Sequence, residues 1–165
     1  MKKRLLIAVV LVCSFAFLTG CGKKVNNSKE LETYKASMEN FFKAMEKENN
    51  TINSIDPESQ NSMTDLLKEF DHMETFFKQL SELTVPTENV PETFVYIPDL
   101  AIQASDYMTQ ANDYMHQAFS ESSYNENTFE VAMECYKRAN KRIGYIITLL
   151  NGEYPQDETI TYNNQ

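Results

Sequence analysis

Between residues 63 and 80 the apolar side chains fall at Met63, Leu66, Phe70, Met73, Phe77 and Leu80. That 3,4,3,4,3 spacing places all six on one side of a helix, whereas a strand would send alternate members to opposite faces. A stripe of this kind must be buried against other helices, so this segment alone commits the chain to helix-on-helix packing. Leu67 and Phe76 widen the stripe, which predicts more than one neighbour for this helix. Asp56-Pro57 supplies a start signal, with Asp as cap and Pro at the first helical position.

Three further stripes flank it. Leu31, Tyr34, Met38, Phe41, Met45 and, past a Glu, Ile52 define a first helix, with Asn27 and Glu30 as a capping pair. Asn49, Asn50 and Asn53 weaken its end. After "TVPTENVPET" (84–93), the spacing resumes at Phe94, Ile97, Leu100, Ala104, Tyr107, Ala111, Tyr114 and Ala118. Pro98 lies inside this third pattern, which predicts a helix beginning near residues 91–93 and kinked near Pro98, the alternative being a true start there with Asp99 in the first turn. The polar loop "SESSYNEN" leads to a second capping pair, Asn127 and Glu130, and a fourth stripe at Phe129, Ala132, Tyr136, Ala139, Ile143, Ile146 and Leu150. Asn151-Gly152 is a C-terminal stop. The fold expected is therefore all-α, an antiparallel four-helix bundle over 28–152, with a tail at 153–165 that is loose or laid against the bundle. The Phe cluster of the second helix is expected to face the Ala row 104, 111, 118 of the third.

The N-terminus carries a different pattern. Lys2, Lys3 and Arg4 precede a 14-residue apolar run, Leu5 to Leu18. As a helix it would reach about 21 Å, short of a bilayer core of about 30 Å. A charged start, short apolar run and small-residue exit read as a secretory signal peptide, residues 1–20. At its end, Leu18-Thr19-Gly20-Cys21 resembles the lipobox of bacterial lipoproteins. The resemblance implies cleavage before Cys21, a diacylglyceryl group on its thiol, and attachment to the extracytoplasmic face of the cell membrane. Residues 21–27 would form the tether. The remaining domain loosely resembles the helical domains of small Gram-positive lipoproteins, in architecture and in the short "CGKK" tether. That likeness transfers no site residue.

From Cys21 onward, 24 acidic residues face 12 basic ones, a net charge of −12. Nucleic acid is excluded as a partner on that balance. On the lipobox resemblance Cys13 would leave with the signal and Cys21 would carry the lipid, which leaves Cys135 without an intramolecular disulfide partner.

Candidate chemistry is sparse. Glu69-x-x-His72 and Asp113-x-x-His116 match half of a dinuclear carboxylate motif. Helical periodicity turns His72 to a flank and His116 outward, so surface histidines are expected and no metal. Methionines 38, 45, 63 and 73 fall in stripes and read as core filler rather than copper ligands. Tyr34, Tyr107, Tyr114 and Tyr136 lie on inward positions and form the candidate ligand pocket, since buried phenols need partners. No nucleophile elbow, zinc-protease helix, phosphate-binding glycine loop or haem motif is present. The expected function is a non-enzymatic protein-binding or structural module of the cell envelope, without cofactor, whose partner lies near the bilayer. The alternative is a small-molecule or solute-binding bundle using the tyrosine-lined interior.

Overall fold

The computed structural model describes residues 29–120 and 124–156, all helical or irregular, with no strand among them. The segment expected to be a signal peptide, Cys21, the expected cap Asn27 and residues 157–165 lie outside the described residues. Four helices form: α1 (Lys29–Ser54), α2 (Ser62–Ser81), α3 (Ile97–Ala118) and α4 (Glu126–Leu150). α1 packs along α2, α2 along α3, and α3 most extensively along α4. Their buried faces merge into one core. Contact order reverses between neighbours: Phe41 meets Phe77, while Glu48 lies near His72 and Glu69.

Three helix starts differ from the sequence reading. Asp56 does not cap α2. Its carboxylate accepts from the Glu58 amide at 2.9 Å and its carbonyl from Ser59 at 3.0 Å, a local turn, and α2 begins at Ser62. This is the known competition between short acidic side chains and the helix. Met63, in that first turn, is consequently 45 % exposed rather than core. The cap of α4 lies two residues before the expected one: Asn125 Oδ1 accepts the Thr128 amide at 3.1 Å.

Pro98 sits in the first turn of α3 instead of inside a longer helix. Residues Glu92–Tyr96 form a 3-10 turn that hands over to α-helix at Ile97. A proline at this position forfeits no helical hydrogen bond, because the first-turn amides have no intrahelical acceptor. The 3-10 turn is tied to the last turn of α4 by Thr93, whose hydroxyl donates to the Leu149 carbonyl at 2.7 Å.

The expected stop of α4 is present in full. Gly152 adopts φ +78°, its amide donates to Leu149 at 2.9 Å, and the Glu153 amide donates to Thr148 at 3.2 Å. This double bond pattern closes the last turn and needs a left-handed residue, which glycine adopts without strain. Beyond it, Pro155 is buried and Tyr154 meets Tyr96, so residues 153–156 lie against the bundle.

On α3 the positions between the alanines shift by one residue. Ala104, Ala111 and Ala118 are buried as expected, but Met108 and Met115 share the core with them, while Tyr107 and Tyr114 are half-buried at its edge. Both registers share the three alanines, so the pattern alone did not separate them. Thioethers fill the interior without needing a hydrogen-bond partner, and phenols keep their hydroxyls near water. Alanines on α3 and Ala132 and Ala139 on α4 let these two backbones approach closely.

Candidate functional site

Helix α2 carries a polar seam on each side. Toward α1, Glu69 and His72 stand one turn apart and meet Glu48. His72 Nδ1 lies 3.4 Å from Glu69 Oε2 and 3.8 Å from Glu48 Oε2. One ligand-capable atom from each of the three falls within 4.8 Å of the other two. Glu48 and Glu69 are buried, and their side chains are 7 % and 10 % exposed, while that of His72 is 48 % exposed. Lys47 reaches Glu48 only loosely, at 3.9 Å. Glu69 Oε2 is buried and has no hydrogen-bond partner. The Glu48 carboxyl is raised above its ordinary value, first by a hydrogen bond with Glu69, then by burial and by the Glu69 charge, against the opposing pull of Lys47 and His72. Two carboxylates in one buried place require a shared proton or a cation.

Toward α3 the carboxylates are met by protein donors, although Asn112 Oδ1 is itself buried without a hydrogen-bond partner. Asn112 donates to Asp71 at 2.9 Å and to Glu74 at 2.7 Å. Thr109 donates to Glu74 at 3.0 Å, Lys78 pairs with Glu74 at 2.6 Å, and His116 meets Asp71 at 2.8 Å. Burial works to raise the Asp71 carboxyl, yet bonds from Asn112 and His116 outweigh it and leave the group below its ordinary value. Glu74 behaves alike: burial raises it, and Lys78, Asn112 and Thr109 together pull it lower.

The four candidate tyrosines have separate surroundings. Tyr136 is fully buried, tilts against Phe70 at 5.5 Å, and donates its hydroxyl to Asn49 Oδ1, linking α4 to α1. Tyr34 packs by Phe94 at 6.1 Å, and burial pushes its hydroxyl up to about 12. Tyr107 lies under the guanidinium groups of Arg138 and Arg142, at 5.9 and 5.4 Å. Tyr114 is half-buried at the edge of the core, two turns further along α3. Cys135 is a buried free thiol raised chiefly by burial, the opposite of an activated nucleophile.

Glu48 and Asn49 are the site residues that sequence reasoning missed. The signal was present: Glu48 interrupts the first stripe between Met45 and Ile52 at stripe spacing. A carboxylate occupying a core position on one helix calls for a partner on the next, and Glu69 supplies it one stripe step beyond Leu66. No family model, curated protein or solved structure matches this chain.

Proposed function

We propose that the chain is a lipoprotein, anchored through Cys21 to the extracytoplasmic face of a cell membrane, whose helical body acts as a non-enzymatic protein-binding or structural module of the envelope. The carrying observation is Leu18-Thr19-Gly20-Cys21 behind a charged start and a 14-residue apolar run. Only the cysteine thiol can accept the lipid, and two acyl chains hold a protein stably where one does not. Among the described residues no helix is long and apolar enough to cross a membrane.

Six residues, 22–27, and then Ser28 separate Cys21 in sequence from the start of α1 at Lys29. A random-coil chain of six residues spans roughly 13 Å. The partner is then another envelope component within reach of the headgroups. The acidic body is repelled by anionic lipid, which turns its surface toward proteins rather than the bilayer. The test is fractionation of cells expressing the chain or its Cys21→Ser variant. The native chain should sediment with membranes and take up labelled palmitate. The variant should lose the label and leave the membrane fraction. Equal membrane retention of both would end this reading.

A further inference from the structure

We propose that Glu48, Glu69 and His72 form a mononuclear site for a divalent first-row transition cation, with Zn2+ the best-matched member. The donor set is two carboxylates and one imidazole, a combination that suits zinc and its neighbours better than calcium or magnesium, which take oxygen ligands in larger number. Separations fit as well. Ligands held at 2.0–2.1 Å around a tetrahedral ion lie about 3.3 Å apart. The Glu69–His72 pair stands at 3.4 Å and the Glu48–His72 pair at 3.8 Å. Both are long for a good hydrogen bond to a ring nitrogen and close for two ligands of one ion.

The second, independent observation is Glu69 Oε2. It belongs to a side chain nine-tenths buried, it is directed into the cluster, and it has no hydrogen-bond partner. A buried carboxylate oxygen left in that state is costly. A dication meets that oxygen and neutralises both carboxylates at once. The α3 seam shows the contrast, since there protein donors serve Asp71 and Glu74.

Access and rigidity also suit a metal. His72 is 48 % exposed on its side chain, which leaves a solvent-facing side for entry and for water as a further ligand. Glu69 and His72 are fixed at i and i+3 on α2, and Glu48 is fixed on α1, so the ion would clamp two helices together. Lys47, 80 % exposed, can swing from Glu48 into water at little cost.

The test uses the full chain, stripped of metal and held in detergent, titrated calorimetrically with Zn2+ alone. One Zn2+ per chain is expected, with a rise in melting temperature. His72→Ala and the isosteric Glu48→Gln should each weaken binding more than about tenfold, since even an outer-shell loss costs that much. His116→Ala should bind as the native chain does. Circular dichroism checks that each variant remains helical, and either of the two site variants suffices if the other does not fold. No saturable Zn2+ uptake by a helical chain, native affinity in both site variants, or an equal loss in His116→Ala would each overturn the assignment.

Discussion

The two sides of α2 hold nearly the same residue types and treat them in opposite ways. On the α3 side each carboxylate is met by protein donors: Asn112 and His116 for Asp71, and Lys78, Asn112 and Thr109 for Glu74. On the α1 side Glu48 and Glu69 face each other, with a half-exposed imidazole as the nearest help. The first seam holds helices together as it stands. The second is short of positive charge. Burial of a carboxylate is therefore not informative alone, because its effect depends on whether donors arrive from the facing helix.

The comparison is broken most completely from beneath. Phe70 stands between Glu69 and Asp71 in sequence, is 1 % exposed, and packs against Tyr136 of α4. Phe70→Ala should cost about 3–5 kcal/mol in urea unfolding and disturb both seams together. A loss below about 1 kcal/mol would mean that the core does not set their geometry.

A smaller change separates the seams. Asn112 is 5 % exposed and serves two carboxylates. Asn112→Ala should cost about 1.5–3 kcal/mol, the scale for hydrogen bonds to charged groups. Glu48→Gln should do the reverse in chelator, raising the melting temperature by on the order of a few degrees, because it removes one of two facing charges. If both variants lost stability alike, the proposed shortage of positive charge at the α1 seam would be wrong.

The division between what could and could not be read from the sequence follows the same physics. Fold class was legible because stripes such as Leu66, Phe70, Met73, Phe77 and Leu80 have one helical solution, and all five are buried. Gly152 was legible because its left-handed conformation singles out glycine. The start of α2 was not: Asp56-Pro57 suits both a cap and a turn, and the decision fell to an Asp56–Glu58 hydrogen bond. Nor was the α3 register, since a one-residue shift between the alanines exchanges Tyr107 for Met108 while keeping every alanine. The α1 seam escaped for a related reason. Glu69 sits beside Phe70, and choosing Phe70 as the inward residue hid the wider buried face that includes both. Pairing Glu48 with Glu69 needs the relative height of two helices, which no single stripe contains.

The smallest effect is also the sharpest, because its sign differs between the seams. Asp71 and Glu74 lie below their ordinary values of 3.8 and 4.5, so their contribution is present above those values and is lost as pH falls through the lower folded ones. Glu48 lies above 4.5, so its contribution is complete below 4.5 and is lost as pH rises through the higher folded value. Acidification in chelator should therefore first relieve the α1 seam and then undo the α3 seam, giving a shallow stability maximum on the acid side of neutrality. Thermal melts across pH 3 to 7 read this directly. Glu48→Gln should remove the rise on the way down from neutral pH and leave the acid loss in place. Asn112→Ala should do the opposite, flattening the acid loss while the rise remains, because Asp71 and Glu74 would then titrate nearer to their unfolded values. A single curve shape shared by the native chain and both variants would show that the two seams do not differ in charge balance.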